Sequence, residues 1–206
     1  PENWAQSDAL YLTATDPHGR KIMTWSWPVK SPEKTAETIV SGTSETAASA
    51  SEKDGVLTLS ANGVEINFNT ENGLITSVKN EKTPISFNNG PKLTDEDSKF
   101  KSLKHYQKGD NQVVEIEYEG PIRKMVYTMQ ANGWLKLDYS YFLRGRKDFM
   151  GINFDYPEEK VKGVKWLGKG PYRVWKNRMK GQNFAVHQKD YNNTVTGSDW
   201  GYPEFK

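Results

Sequence analysis

From Gly55 onward the chain alternates short apolar–polar runs with tight turns, and three Asn-Gly dipeptides punctuate them. Val56-Leu57-Thr58-Leu59-Ser60 leads into Asn62-Gly63, and Val64-Glu65-Ile66-Asn67-Phe68-Asn69 alternates apolar with polar side chains. Asn72-Gly73 then opens Leu74-Ile75-Thr76-Ser77-Val78, and Asn132-Gly133 separates Lys124-Met125-Val126-Tyr127-Thr128-Met129 from the run starting at Trp134 and ending at Phe142. An Asn-Gly pair accepts the left-handed backbone that joins two antiparallel strands through two residues. Alternation with a period of two gives each strand one inward and one outward face. Val113-Val114-Glu115-Ile116-Glu117-Tyr118 and Met150 to Phe154 add further strands. No segment sustains a 3.6-residue period. An antiparallel sandwich or barrel is expected.

Composition supports sheets. Apolar residues make up 35% of the 206, yet 12% of the chain is aromatic, so much of its buried area comes from rings. The 28 basic and 26 acidic side chains leave a net charge of +2, without the concentrated basic surface of a nucleic-acid binder. The absence of cysteine excludes a disulfide framework and a thiolate zinc site. No apolar run approaches the roughly 18 residues of a membrane-spanning helix.

Two segments precede the strand-rich part. Leu10-Tyr11-Leu12-Thr13-Ala14 and Lys21-Ile22-Met23-Thr24-Trp25-Ser26-Trp27 flank Asp16-Pro17-His18-Gly19 and read as a β-hairpin. Composition then shifts to Ser, Thr, Ala, Glu and Lys, and residues 41–54 read as a linker because they carry little apolar surface to bury. Lys92 to Lys104 reads as polar and irregular, with the charge cluster Asp95-Glu96-Asp97 as a solvated loop rather than a calcium cage.

Recognisable catalytic patterns are missing. Glycoside hydrolysis needs two carboxylates converging on one bond, and sequence offers no such pair. Glu115, Glu117 and Glu119 alternate along one strand and read as its exposed face. His18, His105 and His187 lack metal-ligand spacing, and no nucleophile elbow or phosphate-cradling loop is present. No cofactor and no metal is expected.

The last part of the chain carries the most specific signal. Val164-Lys165-Trp166-Leu167-Gly168-Lys169-Gly170-Pro171 is a strand ending in a glycine-bracketed turn, and Tyr172-Arg173-Val174-Trp175-Lys176-Asn177-Arg178 follows with alternating aromatics and cations. Aromatic faces stack on sugar rings and Arg and Asn side chains bind hydroxyls. Tyr172, Arg173, Trp175, Asn177, Arg178 and Trp200 are therefore the candidate carbohydrate-binding residues. The alternative for these aromatics is core packing, which is the expectation for Trp166.

This segment resembles the C-terminal β-sandwich of the large β-galactosidases of glycoside hydrolase family 2. The resemblance rests on Trp166, Leu167, Gly168, Gly170, Pro171, Trp175 and Arg178. The family usually has Glu at the position of Arg173 and Asp at that of Asn177, replacements consistent with a divergent member acting on another glycan. Upstream, Gly63 through Ile75 resembles the opening hairpin of that domain, and Trp4 to Trp27 resembles the end of the preceding immunoglobulin-like sandwich.

The resemblance implies an all-β fold, an antiparallel β-supersandwich of the galactose-mutarotase kind over residues 55–206, preceded by part of an immunoglobulin-like sandwich over 1–40. It implies a non-catalytic role, because the family's catalytic glutamates lie in a (β/α)₈ barrel outside this sequence. The implied partners are that barrel and a carbohydrate. The sandwich is expected to stop short of the family's full length, leaving open strand edges for self-association. A bacterial periplasmic or secreted protein is favoured. Two alternatives stand: a free carbohydrate-binding module, and an independent mutarotase- or lyase-like enzyme with His105, His187 and Tyr191 as candidate groups.

Overall fold

The computed structural model describes residues 3–81, 83–94, 96–147, 151–171 and 181–192. The chain forms two compact units, one of residues 41–157 and one of residues 1–40 with 158–206. The fold is an all-β antiparallel sandwich, as the sequence pattern predicts.

In the unit of residues 41–157, one sheet is built from β3 (Ser49–Lys53), β4 (Val56–Ala61), β5 (Val64–Asn69), β6 (Ile75–Asn80), β7 (Thr83–Ile85), β8 (Asn88–Leu93) and β13 (Ile152–Asp155). Its order is β13-β8-β6-β5-β4-β3, with β7 paired to β6. The second sheet runs β12-β11-β10-β9, from β9 (Lys99–Lys108), β10 (Asn111–Glu119), β11 (Ile122–Met129) and β12 (Leu135–Tyr141). Every pairing is antiparallel.

The period-two pattern explains how the sheets meet. On β4, Leu57, Leu59 and Ala61 point inward while Thr58 and Ser60 do not, and on β5 Ile66 and Phe68 do the same. They meet Val114, Ile116 and Tyr118 of β10 and Met125, Tyr127 and Met129 of β11 in one core. Phe68 and Tyr127 cross edge to face at 4.8 Å, the geometry aromatic quadrupoles favour. The two-residue connections Asp54-Gly55 and Asn62-Gly63 both take positive φ at each position, as a primed hairpin turn requires.

Two readings of the sequence are corrected. The polar run taken as a linker contains β3, which pairs with β4 in register from Ser49↔Ser60 to Lys53↔Val56, and Ala48 beside it is only 2% exposed. The ladder to β4 orders this strand, with Ala48 and Ala50 as its small side chains at the core. Lys92 to Lys104 is not irregular throughout, since it ends β8 and begins β9. β9 is an edge strand, and lysines on such an edge discourage further pairing.

The other unit contains β1 (Ala9–Thr15) and β2 (Lys21–Pro28), the expected hairpin, then α1 (Pro32–Val40), β14 (Gly163–Gly170) and β15 (Asn183–Asp190). In the first turn Asp16 Oδ1 accepts the amides of His18 at 2.9 Å and Arg20 at 2.8 Å. Helix α1 begins with Pro32 in its first turn, where no amide donor is needed, and Ser31 Oγ accepts the Lys34 amide at 3.3 Å.

Candidate functional site

The hairpin β14–β15 carries the glycine–proline motif. Trp166 stands opposite His187, and Gly170 opposite Asn183. Trp166, Gly168 and Gly170 share one face by the strand's alternation. The indole of Trp166 and the imidazole of His187 lie 5.3 Å apart, tilted by 35°, and both cover Gly170. A Cβ at Gly170 would come within 2.9 Å of His187 Cδ2 and 3.0 Å of Trp166 Cζ2. A Cβ at Gly168 would meet only Trp166 Cδ1, at an ordinary 3.5 Å. The second glycine of the motif is thus a steric requirement of the ring pair, and the first is not.

Both rings are also fixed by the backbone. Trp166 Nε1 donates to the Lys169 carbonyl at 3.3 Å. His187 Nε2 lies 3.1 Å from the Asn183 carbonyl and donates to it when that nitrogen carries the proton. Trp166 therefore does not join the sandwich core that the sequence reading assigned it to, but packs half-buried across its own hairpin.

The start of β15 is held by β1 and β2. The Phe184 amide donates to Ser26 Oγ at 2.7 Å, and the Tyr11 hydroxyl donates to the Phe184 carbonyl. Beside this junction lie two clefts. One, of about 160 Å³, is lined by Met23 to Trp27 with Lys169, Gln182 and Asn183. The other, of about 320 Å³, is lined by Lys21 to Thr24 and by Gly181 to Asn183. The connection from Pro171 to Gln182 borders both in sequence. Tyr172, Arg173, Trp175, Asn177 and Arg178 fall in that connection but, like Trp200, lie outside the described residues.

A family model for the beta galactosidase small chain matches residues 60–200, more than half of the sequence. The chain belongs to the β-galactosidase small-chain family. No curated protein matches it. Membership makes it a non-catalytic domain of a β-galactosidase-like protein and implies association with the catalytic part of that parent.

The remaining sequence candidates have structural partners in this β-galactosidase small-chain domain. Glu115 and Glu117 project from the outer face of β10, but Glu115 is no freely solvated carboxylate. Lys124 Nζ reaches it at 2.8 Å, Lys104 Nζ at 2.9 Å and the Tyr106 hydroxyl at 2.8 Å. The Lys124 bond above all, then Lys104 and Tyr106, lowers its pKa to about 2. The alternation of glutamates on β10 was legible, but the cross-strand cations were not. His105 Nε2 lies 3.6 Å from Glu52 Oε2, and its Nδ1 lies 3.5 Å from Gln112 Nε2. Tyr191 donates to Glu158 Oε1 at 2.5 Å. Among the described residues, no group of three or more His, Asp or Glu side chains is placed to hold a metal ion.

Proposed function

We propose that the chain is the C-terminal, non-catalytic part of a β-galactosidase-like glycoside hydrolase, where it packs against the catalytic barrel and shapes the rim of the carbohydrate site. The observation that carries this reading is the small-chain match, which runs through the sandwich strands and on through the β14–β15 hairpin. In the same reading, residues 1–40 end an immunoglobulin-like sandwich and 55–206 belong to the supersandwich, to whose sheet β3 adds a strand.

The β1–β2 hairpin supports the first of these assignments. Tyr11 and Ser26, paired across the hairpin, reach β15. The pairs Leu10↔Trp27, Leu12↔Trp25 and Ala14↔Met23 lie on the opposite face. Leu12 there is 58% exposed and Trp27 46%. A half-apolar hairpin is marginal in water unless its face is covered. The second sheet of a sandwich is the cover this reading supplies.

The test is co-expression with the catalytic barrel of the parent. A stable complex with glycosidase activity is expected, with no turnover by this chain alone. A Leu12→Asp, Trp25→Ser double substitution should weaken assembly. Turnover by the isolated chain, abolished by His187→Ala, would establish the enzyme reading instead.

A second reading, a free carbohydrate-binding module, is favoured by the two clefts, both lined by Asn183 and one also by Lys169, which supply hydrogen-bonding groups. It predicts glycan binding by the chain alone that is lost on Trp175→Ala.

A further inference from the structure

The dipeptides that shape the hairpins are also chemically labile, because a glycine has no side chain to shield its amide from the asparagine before it. The fold treats these dipeptides differently. At Asn72 the Gly73 amide donates to the Asn69 carbonyl at 2.8 Å, and Gly73 is buried against Ile116 and Tyr118. At Asn132 the Gly133 amide donates to the Gln130 carbonyl at 2.9 Å. Besides these turns, Asn89-Gly90 carries the same dipeptide inside β8, where Gly90 is buried, pairs with Ile75 and has no room for even a Cβ beside the Asn153 carbonyl. Asn62 is followed by an uncommitted nitrogen. Gly63 accepts the Glu81 amide on its carbonyl at 2.6 Å, but among the described residues its own amide donates to no acceptor. Asn62 and Gly63 are both exposed, at the tip of a turn with φ of 44° and 80°. We propose that Asn62 is a site of spontaneous deamidation, and that its conversion releases a link between the two sheets of the sandwich.

The chemistry needs only water. The Gly63 amide nitrogen attacks Cγ of Asn62 and forms a C–N bond. The bond from Cγ to Nδ2 breaks, and ammonia leaves with the proton that Gly63 gives up. Water then opens the cyclic imide at either carbonyl, leaving aspartate or, with the chain rerouted through the side chain, isoaspartate. Nothing is oxidised or reduced. An amide already bonded to a carbonyl must first give up that bond, which protects Asn72 and Asn132. The consequence turns on one atom. Asn62 Nδ2 donates to the Asn132 carbonyl at 3.0 Å, a bond that holds the leaving nitrogen and not the attacking one. A carboxylate has no proton to donate there and repels the carbonyl oxygen. Isoaspartate also adds a backbone atom to a two-residue connection, which loosens the Ala61↔Val64 end of the β4–β5 ladder.

The experiment is timed incubation of the full chain in mildly alkaline buffer, folded and in urea, followed by peptide mapping in a mass spectrometer. The readout at each asparagine is the mass gained when an amide becomes an acid, with isoaspartate identified by fragmentation. In the folded chain Asn62 should convert several-fold faster than Asn72, Asn89 or Asn132, and in urea these rates should converge. That comparison uses the wild-type protein and needs no variant. Asn62→Asp, which carries the aspartate product from the start, should unfold at lower urea than wild type. Equal rates at these sites in the folded chain, faster conversion at any of the other three, or a wild-type midpoint for Asn62→Asp would overturn the proposal.

Discussion

Asn62 Nδ2 donates to the Asn132 carbonyl at 3.0 Å, clasping the β4–β5 turn of one sheet to the β11–β12 turn of the other. Asn132 Nδ2 passes the connection on to the Gly42 carbonyl at 2.9 Å. Two Asn-Gly turns that each shape a hairpin thus also join the sheets. Asn62 itself holds φ at 44°. Asn62→Gly keeps that backbone and removes the clasp, which should cost about 0.5–1.5 kcal/mol. Asn62→Ala adds a left-handed penalty of about 1–2 kcal/mol. Urea unfolding should therefore rank wild type above Asn62→Gly and Asn62→Gly above Asn62→Ala. Equal midpoints for wild type and the glycine variant would remove the clasp from the account.

The core makes a different prediction at Tyr127. Its hydroxyl is buried against Met125 Sδ at 3.8 Å, and burial holds its pKa far above the ordinary phenol value. Sulfur is a weak acceptor. Tyr127→Phe should then be neutral or stabilising, within about 1 kcal/mol. Phe68→Ala, which empties the other half of the ring pair, should cost about 3–5 kcal/mol. Thermal unfolding of the two variants checks the contrast.

The hairpin motif separates its own two glycines. Gly170→Ala forces a Cβ into the Trp166 and His187 rings and should cost about 1–3 kcal/mol. Gly168→Ala should fall within about 0.5 kcal/mol of wild type. The Trp166 indole and His187 ring resonances provide the readout. Loss of their mutual contact is expected only in the Gly170 variant.

Glu115 predicts an acid limb of stability. Its folded pKa of about 2 lies below the 4.5 of an ordinary glutamate. A depressed carboxylate contributes stability that is full above its unfolded value and is lost as pH falls through the folded one. The Glu115 contribution should therefore fade between about pH 4.5 and pH 2. Glu115→Gln should be less stable than wild type at pH 7, with the gap closing by pH 2. A gap that stays constant over that range would mean the two lysines and Tyr106 do not grip the ionised form.

What the sequence disclosed follows the physics of burial. β4, β5, β10 and β11 face a core on one side, so Leu57, Phe68, Ile116 and Tyr127 write a period of two that is readable without coordinates. β3 writes no such pattern, because Ser-Ala-Ser-Glu-Lys lies at a sheet edge and is ordered by its ladder to β4. α1 was passed over since the polar run around it masked the signal in Ser31-Pro32-Glu33. The glycine–proline motif was legible as a family marker. That Gly170 serves the Trp166–His187 pair was not, because His187 lies on another strand and register cannot be read from spacing.

The closed base of the β14–β15 hairpin has a consequence for engineering. Ring pair, close-approach glycine and backbone bonds all lie within Gly163–Gly170 and Asn183–Asp190, so the two strands themselves specify the base. It behaves as a socket. Connections of other sequences should be exchangeable on it as cassettes, provided Trp166, Gly170 and His187 are kept.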